Sequence, residues 1–139
     1  MNLLIIDAQG GGIGKQVISA VKSNLSNIKI TAVGTNTVAT AAMLKAGADN
    51  AATGENPVIV GCRRADVIVG PIGIVIADAL QGEITPAMAL AVGQSMAKRI
   101  LIPVNHCDNL VVGVNDYSVG RLIDAVVEEL VKLQLDLDA

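Results

Sequence analysis

Six residues near the start of the chain, Gln9-Gly10-Gly11-Gly12-Ile13-Gly14, form the segment best suited to chemistry. Side chains are nearly absent there, so the backbone can close on a ligand. N–H groups at a helix start favour an anion. The segment follows the apolar run Leu3-Leu4-Ile5-Ile6 and Asp7, and an amphipathic stretch begins at Lys15. A buried strand, a glycine turn and a helix start in that order point to a nucleotide or another small phosphate-bearing ligand.

Spacing narrows the class. The dinucleotide pattern G-x-G-x-x-G is not met, because from Gly10 and Gly12 the third position is Lys15. The short-chain dehydrogenase loop G-x-x-x-G-I-G fits at Gly12-Ile13-Gly14 but has Ala8 for its first glycine. The phosphate loop G-x-x-x-x-G-K-[ST] fits at Gly14-Lys15 only, with Gln9 and Gln16 at its other fixed positions. Without a Ser or Thr for magnesium, ATP hydrolysis is not expected.

Three more loops follow strand candidates: Gly34-Thr35-Asn36, Gly70-Pro71-Ile72-Gly73 and Asn105-His106-Cys107-Asp108. In a doubly wound sheet the ligand sits outside the carboxyl ends of the strands. Any tight turn favours Gly or Asn, so the signal is the gathering of four such loops at one end. The candidate binding residues are Gln9, Gly10, Gly11, Gly12, Ile13, Gly14, Gly34, Thr35, Asn36, Gly70, Pro71 and Gly73. An NAD site places a carboxylate at the end of the second strand. Gly34-Thr35-Asn36 offers none, and no arginine for NADP, so the cofactor stays open between nucleotide and dinucleotide. Thr35, Asn36 and Thr37 could hold a phosphate or ribose at the second helix; Thr37 as a simple helix cap is the bland reading.

Catalytic candidates are sparse. Glu55, in the polar stretch Thr53-Gly54-Glu55-Asn56, is the candidate acid or base. His106 beside Cys107 offers a base next to a nucleophile, although adjacent side chains rarely point at each other. Tyr117 with Arg121 mimics the Tyr-x-x-x-Lys of short-chain dehydrogenases, with Arg for Lys. The single histidine leaves no metal site to complete. No reaction is assigned.

Short Val- and Ile-rich runs must position these loops. Strands are expected at residues 3–7, 28–33, 66–69, 99–103 and 110–114. Most are continuously apolar, as a sheet covered on both faces requires. Helices are expected at about 13–25, from Thr37 to Gly47, from the cap Asn56-Pro57 to before Cys62, and from Thr85-Pro86 to about 97. Residues 74–80 are read as helix, and the last helix as about 118–133. The gap between Pro103 and Leu110 is too short for a helical crossover, which makes the fifth strand an antiparallel edge. The expected fold is α/β: a three-layer Rossmann-like sandwich on a mostly parallel sheet of about five strands, one domain over residues 1–139.

Composition excludes other classes. Of 139 residues 52% are hydrophobic, yet no apolar run reaches the ~18 residues of a membrane helix. The excess is assigned to the core and a subunit interface. Net charge is −3, with no Trp, no Phe and one Tyr, so the chain lacks the basic face and stacking rings that nucleic acids need. A start without a basic n-region, and the well-separated Cys62 and Cys107, point to the cytoplasm and reduced thiols. The apolar helix from Pro86 and the last helix point to a homo-oligomer, most simply a dimer.

Together, Gly10-Gly11-Gly12-Ile13-Gly14-Lys15, Gly34-Thr35-Asn36, Ala52-Thr53-Gly54-Glu55-Asn56, Gly70-Pro71-Ile72-Gly73-Ile74 and Gly82-Glu83-Ile84-Thr85-Pro86 resemble a small uncharacterised bacterial domain-of-unknown-function family. The resemblance spans nearly the whole chain and implies a stand-alone, Rossmann-like, cytoplasmic domain. It implies no reaction. The family pattern carries glycine where Ala8 stands, one methyl more at the loop entrance.

Two alternatives to a nucleotide-binding protein remain. One is a non-catalytic sensor or partner subunit that binds a small anion and acts through oligomer assembly. The other is a scaffold whose glycines serve packing alone.

Overall fold

A computed structural model describes residues 1–104 and 108–139. Its sheet is built from β1 (Asn2–Asp7), β2 (Lys29–Gly34), β3 (Asn50–Thr53), β4 (Val67–Pro71) and β5 (Lys98–Ile102). Their order is β3-β2-β1-β4-β5, and every pairing is parallel. The helices are α1 (Gly12–Asn24), α2 (Thr37–Lys45), α3 (Glu55–Arg64), α4 (Pro86–Gln94) and α5 (Val119–Asp138).

Alternation along β1 builds both halves of the core. Leu3 and Ile5 pack with Val17, Ile18 and Val21 of α1, Met43 of α2, and Ile123, Val126 and Leu130 of α5. Leu4 and Ile6 enter the opposite layer with Val58 of α3 and Met88 and Val92 of α4. A central strand covered on both faces has no polar face to show, hence the unbroken run Leu3-Leu4-Ile5-Ile6. The result is the expected three-layer Rossmann-like α/β sandwich. Among the described residues no helix is long and apolar enough to cross a membrane.

Four of the five expected strands are present; the antiparallel edge is not. Residues 110–114 form no strand: Leu110 and Val112 are almost fully exposed, and Gly113 stands at φ +85°. The fifth strand is β3, Asn50-Ala51-Ala52-Thr53, parallel to β2. It lies at the sheet edge and is half-buried, so it carries no apolar run to announce it.

Helix boundaries differ in four places. Residues 74–80 are not a regular helix: a 3₁₀ turn, Ile72–Val75, gives way to a winding connection. Asp78, Leu80 and Gln81 have left-handed backbones there, which no continuing right-handed helix allows. α3 is capped by Gly54 rather than Asn56 and runs through Cys62 to Arg64. Pro57 is its third residue, where the missing N–H costs nothing. Thr85 caps α4 as expected, accepting the Met88 N–H at 3.1 Å, but the helix stops at Gln94. α5, capped by Ser118, continues to Asp138.

Candidate functional site

The order of strand addition switches sides at β1, which has β2 and then β3 on one side and β4 and then β5 on the other. The crevice at the carboxyl ends of β1 and β4 is therefore the switch point where ligands of such sheets bind. The loop after β1 and the helix α1 open there.

Asp7, the last residue of β1, is the only buried charged residue in the described chain, at 4% exposure. Its carboxylate accepts the Ala8 N–H at 2.8 Å and the Gly14 N–H at 2.7 Å. Burial pushes its carboxyl above the usual range, against the lowering by Gly14, Ala8 and Ile13, and the charge of Glu83 adds to the rise. Asp7 thus ties the strand end to the first turn of α1 and consumes donors that a free helix start would offer.

The loop glycines fall into two kinds. At Gly11, φ is +73° and a Cβ would lie 2.9 Å from the Ala39 backbone; at Gly14 it would lie 2.5 Å from Met43 Sδ. These two let α2 approach α1, so packing requires them. Gly10 and Gly12 differ: neither has a positive φ, and a Cβ at either meets nothing within 4 Å. Their N–H groups have no partner among the described residues, whereas the Gly11 N–H is bonded to Ala8 O.

Gln9 precedes them with a left-handed backbone, φ +53°. Its N–H donates to Glu83 Oε1 at 3.0 Å, and its carbonyl accepts Asn36 Nδ2 at 2.9 Å. Asn36 is the N-cap of α2, a role expected of Thr37, and accepts the Ala39 N–H through Oδ1 at 2.9 Å. The same Nδ2 reaches Glu83 Oε1 at 2.7 Å, and the Thr35 hydroxyl donates to that oxygen at 2.7 Å. Burial would raise the Glu83 carboxyl; the bonds from Thr35, Gln9 and Asn36 outweigh it and hold the group below the usual range.

Glu83 was not among the residues singled out in the sequence. It stands on the connection between β4 and α4, in a stretch read for its helix cap and for the family resemblance but not for a site. The carboxylate missing from the end of β2 is therefore supplied from elsewhere in the chain.

Other candidates take separate places. Gly34, Gly70 and Gly73 are packing glycines: a Cβ would meet Thr40 N at 2.6 Å, Ile6 O at 2.6 Å and Leu80 Cγ at 3.1 Å, respectively. Pro71 is buried with the last two. Glu55 accepts the Thr85 hydroxyl at 2.6 Å, linking the starts of α3 and α4. The Tyr117 ring carries the Arg121 guanidinium 4.3 Å from its centroid. His106 lies outside the described residues. Tyr117 and Ile13 line one groove of about 640 Å³ with Pro103, Val119 and Leu122, a ligand-sized space beside the start of α1. A further groove of about 480 Å³ runs along α3, but its cations, Lys29 and Arg64, stand at the amino end of the sheet, away from the glycine loop.

No group of three or more acidic, His or Cys side chains able to hold a metal is found among the described residues. Neither a curated protein nor a solved structure matches the chain. One family model matches, and over residues 2–134 of the 139: the chain belongs to the DUF3842 family, a domain of unknown function.

Proposed function

We propose that the protein binds a nucleotide or another phosphate-bearing small molecule at the carboxyl end of β1, between the switch point with β4 and the tip of β2. One observation carries the reading. Gly10 and Gly12 have ordinary backbones, open space where a side chain would stand, and N–H groups with no partner among the described residues. Packing explains Gly11 and Gly14 and leaves these two unexplained, while a phosphate brought close to the backbone would need both the space and the donors. The clamp on Gln9 holds the loop in place before any ligand arrives, which lowers the ordering cost of binding.

Thermal melts followed by far-UV circular dichroism test it, with NAD, NADP, FAD, FMN, AMP, ATP, coenzyme A and phosphate as additives. A ligand at 100 times its dissociation constant adds about 2.7 kcal/mol, a rise of several degrees. The rise should vanish in Gly12→Val with the fold intact. Absence of any shift refutes the reading.

A second reading, in which the chain acts as a homodimer, is favoured by α4. Leu90 and Met96 are exposed, Met96 fully, beside an apolar groove against α3 lined by Ile59, Ala87 and Ala91. Such a patch on a free surface is costly, and a second copy would cover it. Sedimentation at micromolar concentration should show a dimer that Leu90→Glu splits; a monomeric wild type refutes it.

A further inference from the structure

We infer that Glu83 is the acceptor for the ribose hydroxyls of the bound nucleotide, restricting the site to nucleotides with a free 2′,3′-diol and excluding those phosphorylated at the 2′ position. The inference rests on the nucleotide reading above and narrows it to one ligand class.

Three observations converge. The first is placement. Glu83 sits against Thr35 and Asn36 at the end of β2, where dinucleotide sites hold the ribose, although the residue arrives from the connection after β4. The second is valence. Oε1 takes all three bonds, from Gln9, Thr35 and Asn36, and Oε2 takes none among the described residues. One oxygen fixes the carboxylate, and the other is left to accept a hydroxyl. The third is adjacency. Gln9, bonded to Glu83, immediately precedes Gly10, whose N–H has no partner among the described residues. A diol acceptor and a phosphate donor therefore stand on neighbouring residues, as a nucleoside 5′-phosphate presents the matching groups on one sugar.

Charge then sets selectivity. Glu83 forms no ion pair with a described Lys or Arg. A 2′-phosphate would bring its negative charge against an uncompensated carboxylate, whereas a hydroxyl donates to it.

Calorimetric titration of the full chain with 5′-AMP, 2′-deoxy-5′-AMP and adenosine 2′,5′-bisphosphate tests this, in wild type and Glu83→Gln. Loss of a hydrogen bond to a charged acceptor should weaken the deoxy compound about tenfold to a hundredfold, with the bisphosphate weaker still. In Glu83→Gln the three should bind within about threefold of one another. Wild type that binds all three alike overturns the role of Glu83 and leaves the nucleotide reading standing. So does a folded Glu83→Gln that keeps the discrimination. A melt raised by inorganic phosphate with no binding of the three refutes the diol inference alone. No binding and no shift with any additive removes both. The wild-type series needs no variant, so a Glu83→Gln that fails to fold leaves the test intact.

Discussion

The hydroxyl of Thr35 donates to Glu83 Oε1 at 2.7 Å, a bond between residues 48 positions apart. It joins the tip of β2 to the connection that leaves β4. These strands flank β1, so the bond spans the carboxyl end of the central strand and bridges the switch point. Glu83 also holds the backbone of Gln9, the entrance to the glycine loop. The crevice is thus braced by an anion belonging to the protein itself.

The two kinds of glycine should separate experimentally. Gly12→Ala replaces glycine in the first turn of α1 without a clash, so stability should stay within about 1 kcal/mol of wild type, toward higher. Gly11→Ala and Gly14→Ala should each cost about 2–3 kcal/mol, because the new methyl meets α2. Urea unfolding of the three variants decides this, and equal losses would show that packing governs the whole loop.

The two carboxylates of the crevice should respond oppositely to pH. Glu83 is held below its ordinary value of 4.5, so its contribution is complete above that value and is lost as pH falls through the folded pKa. Asp7 is raised above 3.8, so its contribution is complete below that value and is lost as pH rises through the folded pKa. On acidification the stability gap between wild type and Glu83→Gln should shrink. That between wild type and Asp7→Asn should move in favour of wild type. Denaturant titrations from about pH 3 to pH 8 follow both, and parallel curves would contradict the assignment.

Asn36→Ala should be costly for a half-buried polar position. It removes the α2 cap together with the bonds to Gln9 and Glu83, for a loss of about 2 kcal/mol. Nucleotide affinity should fall with it, since Gln9 loses a restraint. Asn36→Asp restores the cap but sets a second charge against Glu83. A melt in which Asp recovers full stability would show that the contact with Glu83 is unimportant.

Cys62 should be inert in the native protein. Burial pushes its thiol up to about 11, so thiolate is scarce at neutral pH. In a Cys107→Ser background a thiol-specific reagent should label only after unfolding. Labelling at native rates would mean that α3 opens easily.

Much of the architecture was legible because strands covered on both faces read as unbroken apolar runs and helices as apolar stripes. β1, β2, β4 and β5 announced themselves in this way, and Thr85-Pro86 marked the start of α4 by cap chemistry alone. β3 did not, since a short edge strand of small residues needs no apolar run. Residues 110–114 misled for the converse reason: an apolar run is also what an exposed loop with Leu110 and Val112 presents.

By itself, then, the sequence determined a mostly parallel α/β sheet with a glycine loop at one end, because those features depend on local periodicity and backbone freedom. Only the tertiary structure decided which glycines are spent on packing, because that depends on where Ala39 and Met43 of α2 cross the loop. It alone decided that a carboxylate stands at the end of β2. Glu83 lies 48 residues beyond Thr35, and strand order rather than spacing along the chain brings them within hydrogen-bond reach.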